Sequence, residues 1–245
     1  MKISDSEQMI SLILPVYNCF AETAGSLPML KDHLDKLGIP YEIILVDDHS
    51  ENSQKFKELA IKYHCLYLVN DRNSGKGYSV RKGFEKAIGS ILIFMDGDFP
   101  FDLEVIDRLA EAFRDEHTDI VIGDRTLDLS DYPSETTRLR KIGSTILSFF
   151  TSRYITPGFS DTQCGIKGFR RETAGKIFPK IVVNGFSFDV EILFVAIRRK
   201  YAIRKIPVRA KKQSATNVRV FYHGIEMLSN IGRIYIRKWR GLYRS

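Results

Sequence analysis

Short apolar segments alternate with amphipathic segments along the first 125 residues. Each apolar run is too short for an independent helix, so the runs predict strands buried in a sheet. The predicted strands are Met9–Val16, Tyr41–Asp48, Cys65–Val69, Ile91–Met95 and Asp119–Arg125. Between them apolar residues recur at helical spacing, as at Leu27, Leu30, Leu34 and Leu37. This alternation predicts an α/β fold with a mostly parallel, Rossmann-like central sheet.

The alternation stops after Arg125, where a polar loop begins. The elements predicted beyond it are an amphipathic helix at Arg138–Tyr154, a loop running into a strand at Asp161–Lys167, a largely buried helix starting at Gly185–Leu193, and a strand at Ala202–Val208. An apolar helical stripe follows, formed by Phe221, Ile225, Leu228, Tyr235, Trp239 and Leu242. We therefore predict one domain over residues 1–210 and a basic amphipathic C-terminal segment over residues 211–245.

Positive charge is concentrated in this C-terminal part. The chain has a formal net charge of +7, and 14 Lys or Arg residues against one acid lie between Arg198 and Ser245. Such a block implies an anionic partner. Because the cations flank an apolar stripe and no nucleic-acid-binding motif is present, we predict binding to an anionic membrane surface and no nucleic-acid partner. Packing of the stripe on the domain is the alternative.

Pairs of acids follow two of the predicted strands. Asp47 and Asp48 end one strand, and Asp96 and Asp98 follow the run Ile91–Met95. The carboxyl ends of parallel strands share one edge of the sheet, so these acids are expected to lie together. Carboxylates at such an edge suit a hard divalent cation completed by substrate phosphates and water, which makes Asp96 and Asp98 the candidate metal ligands. The alternative is a polar turn in which Gly97 supplies the bend.

Composition and motifs exclude several classes of protein. Cys19, Cys65 and Cys164 have no spacing typical of a disulfide framework or a zinc site. No apolar run is long enough to cross a membrane and the N-terminus has no signal-peptide character, so we expect a cytoplasmic protein. Lys76 lies in Gly-Lys-Gly rather than in a P-loop, which disfavours a nucleotide triphosphatase. At the start of a helix, this lysine and the backbone amides predict a phosphate contact.

Several motifs in this order resemble family-2 glycosyltransferases of the GT-A fold. They are Leu14-Pro-Val-Tyr-Asn18, Val46-Asp-Asp-His-Ser50, Gly75-Lys-Gly77 with Arg81, and Asp96-Gly-Asp98. Asp161-Thr-Gln-Cys-Gly-Ile-Lys167 and Phe186-Ser-Phe-Asp-Val-Glu-Ile-Leu193 are similar to the polyprenyl-phosphate branch, especially dolichyl-phosphate glucosyltransferases. Two positions depart from the family pattern: Cys19 stands where Glu is usual, and Pro100 stands where the mannose synthases have Gln.

The resemblance implies roles for individual residues. It implies a nucleotide-sugar site formed by Pro15, Tyr17, Asn18, Asp47, Asp48, Lys76, Arg81 and Asp96. It implies that Asp96 and Asp98 hold Mg²⁺ or Mn²⁺, and that these two, Arg125 and Lys167 are catalytic. The implied binding residues for an acceptor phosphate are Arg125, Arg138, Arg140, Lys141, Gln163 and Lys167.

The acceptor decides which chemistry the site needs. A phosphate monoester is already largely ionised at neutral pH and needs cations, whereas a hydroxyl needs a base such as Asp161, Asp189 or Glu191. The cations in this chain favour a phosphate. We therefore expect a metal-dependent inverting transferase that moves a hexose, glucose being the expected one, from a UDP-sugar to a polyprenyl phosphate at the cytoplasmic face of the membrane. The alternative acceptor is a glycan hydroxyl in cell-surface polysaccharide assembly.

Overall fold

The computed structural model describes residues 8–131, 155–209 and 220–243. In these ranges seven strands form one sheet in the order β3-β2-β1-β4-β6-β5-β7. The strands are β1 (Ile10–Val16), β2 (Tyr41–Asp47), β3 (Leu66–Val69), β4 (Ile91–Met95), β5 (Ile120–Asp124), β6 (Ile166–Arg170) and β7 (Ile203–Pro207). The helices are α1 (Phe20–Leu37), α2 (Ser53–Lys62), α3 (Lys76–Lys86), α4 (Glu104–Ala112), α5 (Arg171–Ile177), α6 (Phe188–Arg198) and α7 (Val220–Trp239). The predicted helix at Arg138–Tyr154 lies outside the described residues.

The predicted α/β fold is confirmed, and β6 is the strand that breaks its parallel order. β6 runs antiparallel to both of its neighbours, β4 and β5, while the other pairs are parallel. The apolar pattern predicted a strand near this position but not its direction. That direction has a consequence for the site, because it brings the segment before β6 to the carboxyl end of β4.

Alternate side chains of each central strand enter two different hydrophobic layers. In β1, Leu12 and Leu14 pack in one layer with residues of α1, α2 and α4, and Ile13 packs in the other with residues of α3, α5 and α6. Burial on both faces explains why these strands have continuous apolar sequences. The helices therefore cover the faces of the sheet and leave its carboxyl edge to loops.

Three of the loops at this edge contain a non-glycine residue in the left-handed region. Asn18 follows β1, His49 follows β2 and Phe99 follows β4, with φ values of 51°, 67° and 52°. Residues held in this region cluster at functional sites in proteins. Three of the five non-glycine residues with positive φ in the described ranges therefore lie at the carboxyl ends of β1, β2 and β4.

A proline within a central strand would normally interrupt it, but β1 continues past Pro15 to Val16. The reason is that pairing of β1 with β4 ends at Ile13, while pairing with β2 continues to Val16. At Pro15 the strand therefore has a partner on one side only, and there a proline is tolerated as it is on an edge strand.

The described C-terminal residues pack on the domain chiefly through side chains outside the predicted stripe, although Tyr235 of the stripe is partly buried against the domain as well. Ile234 and Tyr243 are buried in the layer that contains α6, and the Tyr243 hydroxyl donates a 2.5 Å hydrogen bond to Glu191. Trp239, which belongs to the stripe, is 88% exposed. The boundary at residue 210 stays a prediction. None of the described helices combines the length and apolar character needed to cross a membrane.

Candidate active site

Asp96 and Asp98 flank a tight turn that the surrounding backbone fixes. The Asp96 amide donates to Gly165 O (3.0 Å) and the Phe99 amide donates to Asp96 O (3.0 Å). A Cβ on Gly97 would lie 2.5 Å from Val16 Cγ1, so only glycine allows the turn to approach the end of β1 this closely. Gly97 therefore does more than bend the chain, because it packs the turn against the neighbouring strand.

The segment before β6 contributes a residue that the sequence interpretation did not single out. A Cβ on Gly165 would lie 2.0 Å from Asp96 Oδ2, so the missing side chain makes room for this carboxylate. Gly165 lies in the Asp161–Lys167 motif, but only the antiparallel pairing of β4 with β6 shows which carboxylate it faces. Replacement by any other residue would displace Asp96.

The chemistry of this pair of carboxylates fits a divalent cation. Burial, and secondly the charge of Asp96, raise the pKa of Asp98 to about 6. Of the ion pairs among the described residues, none includes Asp98. In those same ranges no group of three or more His, Cys, Asp or Glu side chains is arranged to hold a metal. Two carboxylates with remaining positions for phosphate and water match the way Mg²⁺ is bound beside nucleotides.

Lys76 reaches this turn from the start of α3. Its Nζ lies 2.6 Å from Asp96 Oδ1 and 3.8 Å from Asp189 Oδ2. Burial opposes the charge of Lys76, but the two carboxylates outweigh it and raise the pKa of the ammonium. The structure thus places Lys76 beside Asp96, one of the two predicted metal ligands, and its phosphate contact stays a prediction.

The backbone amides at the start of α3 are already used within the protein. The amides of Gly77 and Tyr78 donate to Asn184 O at 2.6 and 3.3 Å. The predicted phosphate site made of Lys76 and these amides is therefore wrong as far as the two amides are concerned. A carbonyl from the segment before α6 caps the helix instead, and this contact fixes the position of Lys76.

Arg81 binds the same segment before α6, at residues 181–184. Its guanidinium donates to the carbonyl oxygens of Ile181 (3.2 Å) and Val183 (3.3 Å) and to Asn184 Oδ1. The sequence predicted a contact with the nucleotide for Arg81. In the structure the described hydrogen-bond acceptors of Arg81 all belong to residues 181–184, and its guanidinium also lies 5.8 Å from the centre of the Tyr78 ring. Arg81 therefore holds this segment against α3, and its contact with a nucleotide stays a prediction.

Asp47 and Asp48 hold loops at the carboxyl edge. Asp47 is fully buried and accepts hydrogen bonds from the Ser50 amide (2.9 Å) and the Tyr67 hydroxyl (2.8 Å). Asp48 accepts hydrogen bonds from Asn70 Nδ2 (2.7 Å) and from two amides of the loop before α3. Both acids therefore shape the pocket, and their predicted direct contacts with a nucleotide stay predictions.

The residues at the end of β1 lie at the carboxyl edge of the sheet, and their contacts with a nucleotide stay predictions. Pro15 lies near the end of the strand, and the side chain of Tyr17 is 51% exposed above it. Asn18 ties this loop to the loop after β2, because its amide donates to Ser50 Oγ (3.0 Å) and its Oδ1 accepts from the Glu51 amide (2.9 Å). These contacts leave the Tyr17 ring at the open edge of the sheet.

Asp161, a candidate base, is bound by Arg125. The Arg125 guanidinium donates to both carboxylate oxygens at 2.6 and 2.8 Å, and the Arg125 amide donates a third hydrogen bond. Burial alone would raise the pKa of Asp161, but the bonds and charge of Arg125 outweigh it and lower this pKa. A carboxylate held in this way is a poor proton acceptor.

The other two candidate bases are also engaged. Asp189 is 2% exposed and accepts a 2.6 Å hydrogen bond from Lys167 Nζ. Glu191 is fully buried and accepts hydrogen bonds from the amides of Val182 and Val183 and from the Tyr243 hydroxyl. The structure therefore gives Glu191 the role of anchoring the segment before α6, and its assignment as a base is wrong.

The predicted acceptor residues separate into three groups. Lys167 has no exposed surface, so direct contact with an acceptor is excluded for it in this structure. Gln163 is exposed, and the Arg125 side chain is 34% exposed beside Asp161. Arg138, Arg140 and Lys141 lie outside the described residues, and their roles stay predictions.

Comparison with known proteins places this geometry in a family. Residues 11–178 match the family model described as glycosyl transferase family 2. The dolichyl-phosphate beta-glucosyltransferase of Drosophila melanogaster is 31% identical, over 99% of this chain and 79% of that protein. The enzyme of the same name from Saccharomyces cerevisiae is 28% identical, over 98% of this chain and 78% of that protein.

Solved structures share the fold. Glucosyl-3-phosphoglycerate synthase from Mycobacterium tuberculosis, in complex with UDP, superposes with a TM-score of 0.73 at 14% identity, over 95% of this chain and 82% of that one. The same enzyme has been crystallised with Mn²⁺, UDP-glucose and phosphoglyceric acid, and this complex gives a TM-score of 0.71 at 14% identity, over 95% of this chain and 82% of that one. The family match covers most of the chain, and the relatives extend it over nearly the full length. This protein is therefore a glycosyltransferase and belongs to glycosyl transferase family 2.

Proposed function

We propose that this protein transfers glucose from UDP-glucose to a polyprenyl phosphate, with inversion at the anomeric carbon. The observation that carries the proposal is the turn with Asp96 and Asp98, found at the carboxyl edge of a chain that matches dolichyl-phosphate beta-glucosyltransferases along nearly its whole length. The structural neighbours have been crystallised with UDP and with UDP-glucose, which supports a uridine nucleotide as donor.

Asp96 and Asp98 would hold the metal, Mg²⁺ or Mn²⁺. A divalent ion there supplies positive charge for the diphosphate that leaves when the bond to the sugar breaks. Lys76, beside Asp96, adds a further positive charge at the same edge. The Mn²⁺ present in crystals of the structural neighbours supports a metal of this kind.

The state of the candidate bases supports a phosphate acceptor rather than a hydroxyl. Asp161 is bound by Arg125, Asp189 is bound by Lys167, and Glu191 is fully buried. Activation of a hydroxyl needs a base that is able to take up a proton, and these three carboxylates are all committed. An ionised phosphate needs no such base. Arg125, oriented by Asp161 and partly exposed, is the described cation that we assign to this acceptor.

An assay of donors and acceptors tests the proposal. Purified protein with Mn²⁺ is incubated with radiolabelled UDP-glucose, UDP-galactose or GDP-mannose and a short-chain polyprenyl phosphate. We expect a labelled lipid from UDP-glucose that mild acid cleaves to release glucose. The proposal fails if GDP-mannose is the preferred donor, or if label enters a glycan acceptor and not the lipid.

We further propose that the C-terminal segment docks on an anionic membrane surface at the cytoplasmic face. Trp239, Ile236 and Leu242 are 88%, 55% and 45% exposed, and the exposed Arg233 and Arg240 lie beside them. Exposed tryptophan and aliphatic side chains with flanking arginines are typical of helices that lie in the interface of a bilayer. Such docking would place the sheet edge near a lipid-linked acceptor.

Replacing Trp239 with glutamate is expected to weaken binding to anionic vesicles. The indole of Trp239 would be buried in the bilayer when the segment docks, and losing that burial corresponds to about 1.5–3 kcal/mol, or roughly a 10- to 100-fold lower affinity for the vesicles. Sedimentation with phosphatidylglycerol vesicles measures the bound fraction. The matched control is Ile88→Glu, because Ile88 is 69% exposed on α3's C-terminal side and lies outside this surface. Equal binding of wild type and Trp239→Glu would contradict the proposal.

A further inference from the structure

Four charged side chains of alternating sign lie in a row behind the Asp96–Asp98 turn. Lys167 Nζ lies 2.6 Å from Asp189 Oδ1, Asp189 Oδ2 lies 3.8 Å from Lys76 Nζ, and Lys76 Nζ lies 2.6 Å from Asp96 Oδ1. The residues come from β6, α6, the start of α3 and the end of β4. No single stretch of sequence contains the row, which forms only in the folded protein.

The row extends from the core to the surface. The side chains of Lys167 and Asp189 are 0% and 2% exposed, that of Lys76 is 10% exposed and that of Asp96 is 34% exposed. The inner pair is fixed, because Lys167 also donates a 2.8 Å hydrogen bond to Cys164 O. The outer pair is therefore the part of the row that meets a ligand.

Lys76 has two carboxylates within reach. It lies close to one oxygen of Asp96 and farther from Asp189, in a slot where the rings of Phe94 and Phe188 lie 5.4 and 5.6 Å from its Nζ. Because the slot contains both acids, a small displacement of the ammonium exchanges one partner for the other. Lys167 already neutralises Asp189 on its inner side, which keeps this carboxylate in place while Lys76 moves.

A divalent cation on Asp96 would compete with Lys76. Both are positive and both require the same carboxylate, so their mutual repulsion at this distance is substantial. If Lys76 had no second acid it would have to enter solvent or oppose the metal. Asp189 offers the alternative partner, on the side of Lys76 that faces the core.

We propose that Lys76 is a resident cation that holds Asp96 in the metal-free protein, and that Asp189, oriented by Lys167, receives Lys76 when a divalent ion takes its place. This inference rests on the metal site of the proposed function. It makes Asp189 and Lys167 positioning residues for metal loading, and it explains why a lysine without any exposed surface lies next to the candidate active site.

Binding of Mn²⁺ alone tests the competition. The free ion is measured by electron paramagnetic resonance in titrations of the full chain, without nucleotide. Lys76→Met removes the competitor, and we expect Mn²⁺ to bind about tenfold more tightly than to wild type, in the range of coupling between contacting charges. Lys76→Arg keeps the competitor and is expected to resemble wild type. Lys31→Met is the matched control, since Lys31 pairs with Asp35 in the C-terminal half of α1.

The role of Asp189 is tested with a substitution that keeps the inner pair neutral. In Lys167→Gln/Asp189→Asn both charges are lost together, so no buried charge is left unpaired. We expect Mn²⁺ to bind more weakly to this variant than to wild type, because Lys76 has lost its second partner. When Lys167→Gln/Asp189→Asn is combined with Lys76→Met, we expect the double substitution to have no further effect on Mn²⁺ binding, because the residue that Asp189 would receive is gone. A general electrostatic or structural effect of the double substitution would persist without Lys76.

The outcomes separate this inference from the proposed function. Asp96→Asn is expected to abolish the Mn²⁺ binding. If it does so while Lys76→Met leaves the affinity at the wild-type value, the exchange is refuted and the metal site stands. If Lys167→Gln/Asp189→Asn weakens Mn²⁺ binding equally in the presence of Lys76 and in the Lys76→Met background, the assignment of Asp189 as the residue that receives Lys76 is refuted. If Asp96→Asn leaves Mn²⁺ binding unchanged, both the metal site and the exchange are refuted.

Discussion

Replacing Asp98 with asparagine is expected to lower the rate of sugar transfer about 10³-fold, in the range known for groups that stabilise charge in a transition state. Asparagine keeps the shape of the side chain but removes the negative charge that a divalent ion needs. The measurement is the initial rate of glucosyl-lipid formation at saturating UDP-glucose and Mn²⁺. Asp32→Asn, at an exposed acid on α1, is the matched control and is expected to retain activity.

The same substitution is not expected to unfold the protein. Because burial raises the pKa of Asp98 to about 6, the folded state of the metal-free protein holds this proton more tightly than the unfolded chain. The free energy of unfolding therefore falls as pH rises from about 4 to about 6, and the cost of the charged carboxylate is fully present above that range. Above pH 6, Asp98→Asn is expected to be at least as stable as wild type in thermal unfolding, and below pH 4 the difference should disappear. If Asp98→Asn transferred glucose at the wild-type rate, the assignment of Asp98 as a metal ligand would be contradicted.

Asp189→Ala is expected to lower the free energy of unfolding by about 3–5 kcal/mol, the cost of removing one partner of a buried ion pair. Lys167 has no exposed surface, so the substitution leaves its ammonium without a carboxylate inside the protein. Urea denaturation followed by circular dichroism measures the difference. The double variant Lys167→Gln/Asp189→Asn is expected to lose much less, because no charge remains in the core.

An exposed ion pair supplies the control for this prediction. Glu111 and Arg114 on the surface of the domain are 64% and 61% exposed. Glu111→Ala is expected to change the free energy of unfolding by less than about 1 kcal/mol, since solvent screens such pairs. If Asp189→Ala were as mild as Glu111→Ala, the buried pair would not have the energetic role that its geometry indicates.

The parts of the fold that the sequence predicted are those set by local pattern. The run Ile91–Met95 is buried on both faces, and its apolar sequence predicted a strand with the same bounds. Gly38 directly follows the apolar helical spacing that ends at Leu37, and it ends α1 in the left-handed region with a φ of 71°, as glycines commonly do at helix C-termini. The direction of β6 was not predicted, because it depends on how the chain returns after β5, and no local pattern records that path.

The candidate site was predicted less completely, for a related reason. Motifs showed that Arg81, Asp48 and Asp161 lie at the carboxyl edge, but not what each side chain binds. Arg81 contacts carbonyl oxygens 100 and 102 positions later in the chain, and Asp161 pairs with Arg125 36 positions earlier. At this edge charged groups either face the ligand or hold the loops that do, and tertiary contacts decide between the two roles. Lys167 is an example, since its charge suggested an acceptor contact and its burial assigns it to the core.

The most direct test of the central claim is the position of Mn²⁺ in crystals of the protein grown with UDP. Anomalous scattering at the manganese edge locates the ion independently of the surrounding density. We expect one strong peak in contact with the carboxylates of Asp96 and Asp98 and with the diphosphate of UDP. A peak elsewhere, or bound UDP with no metal at these two aspartates, would contradict it.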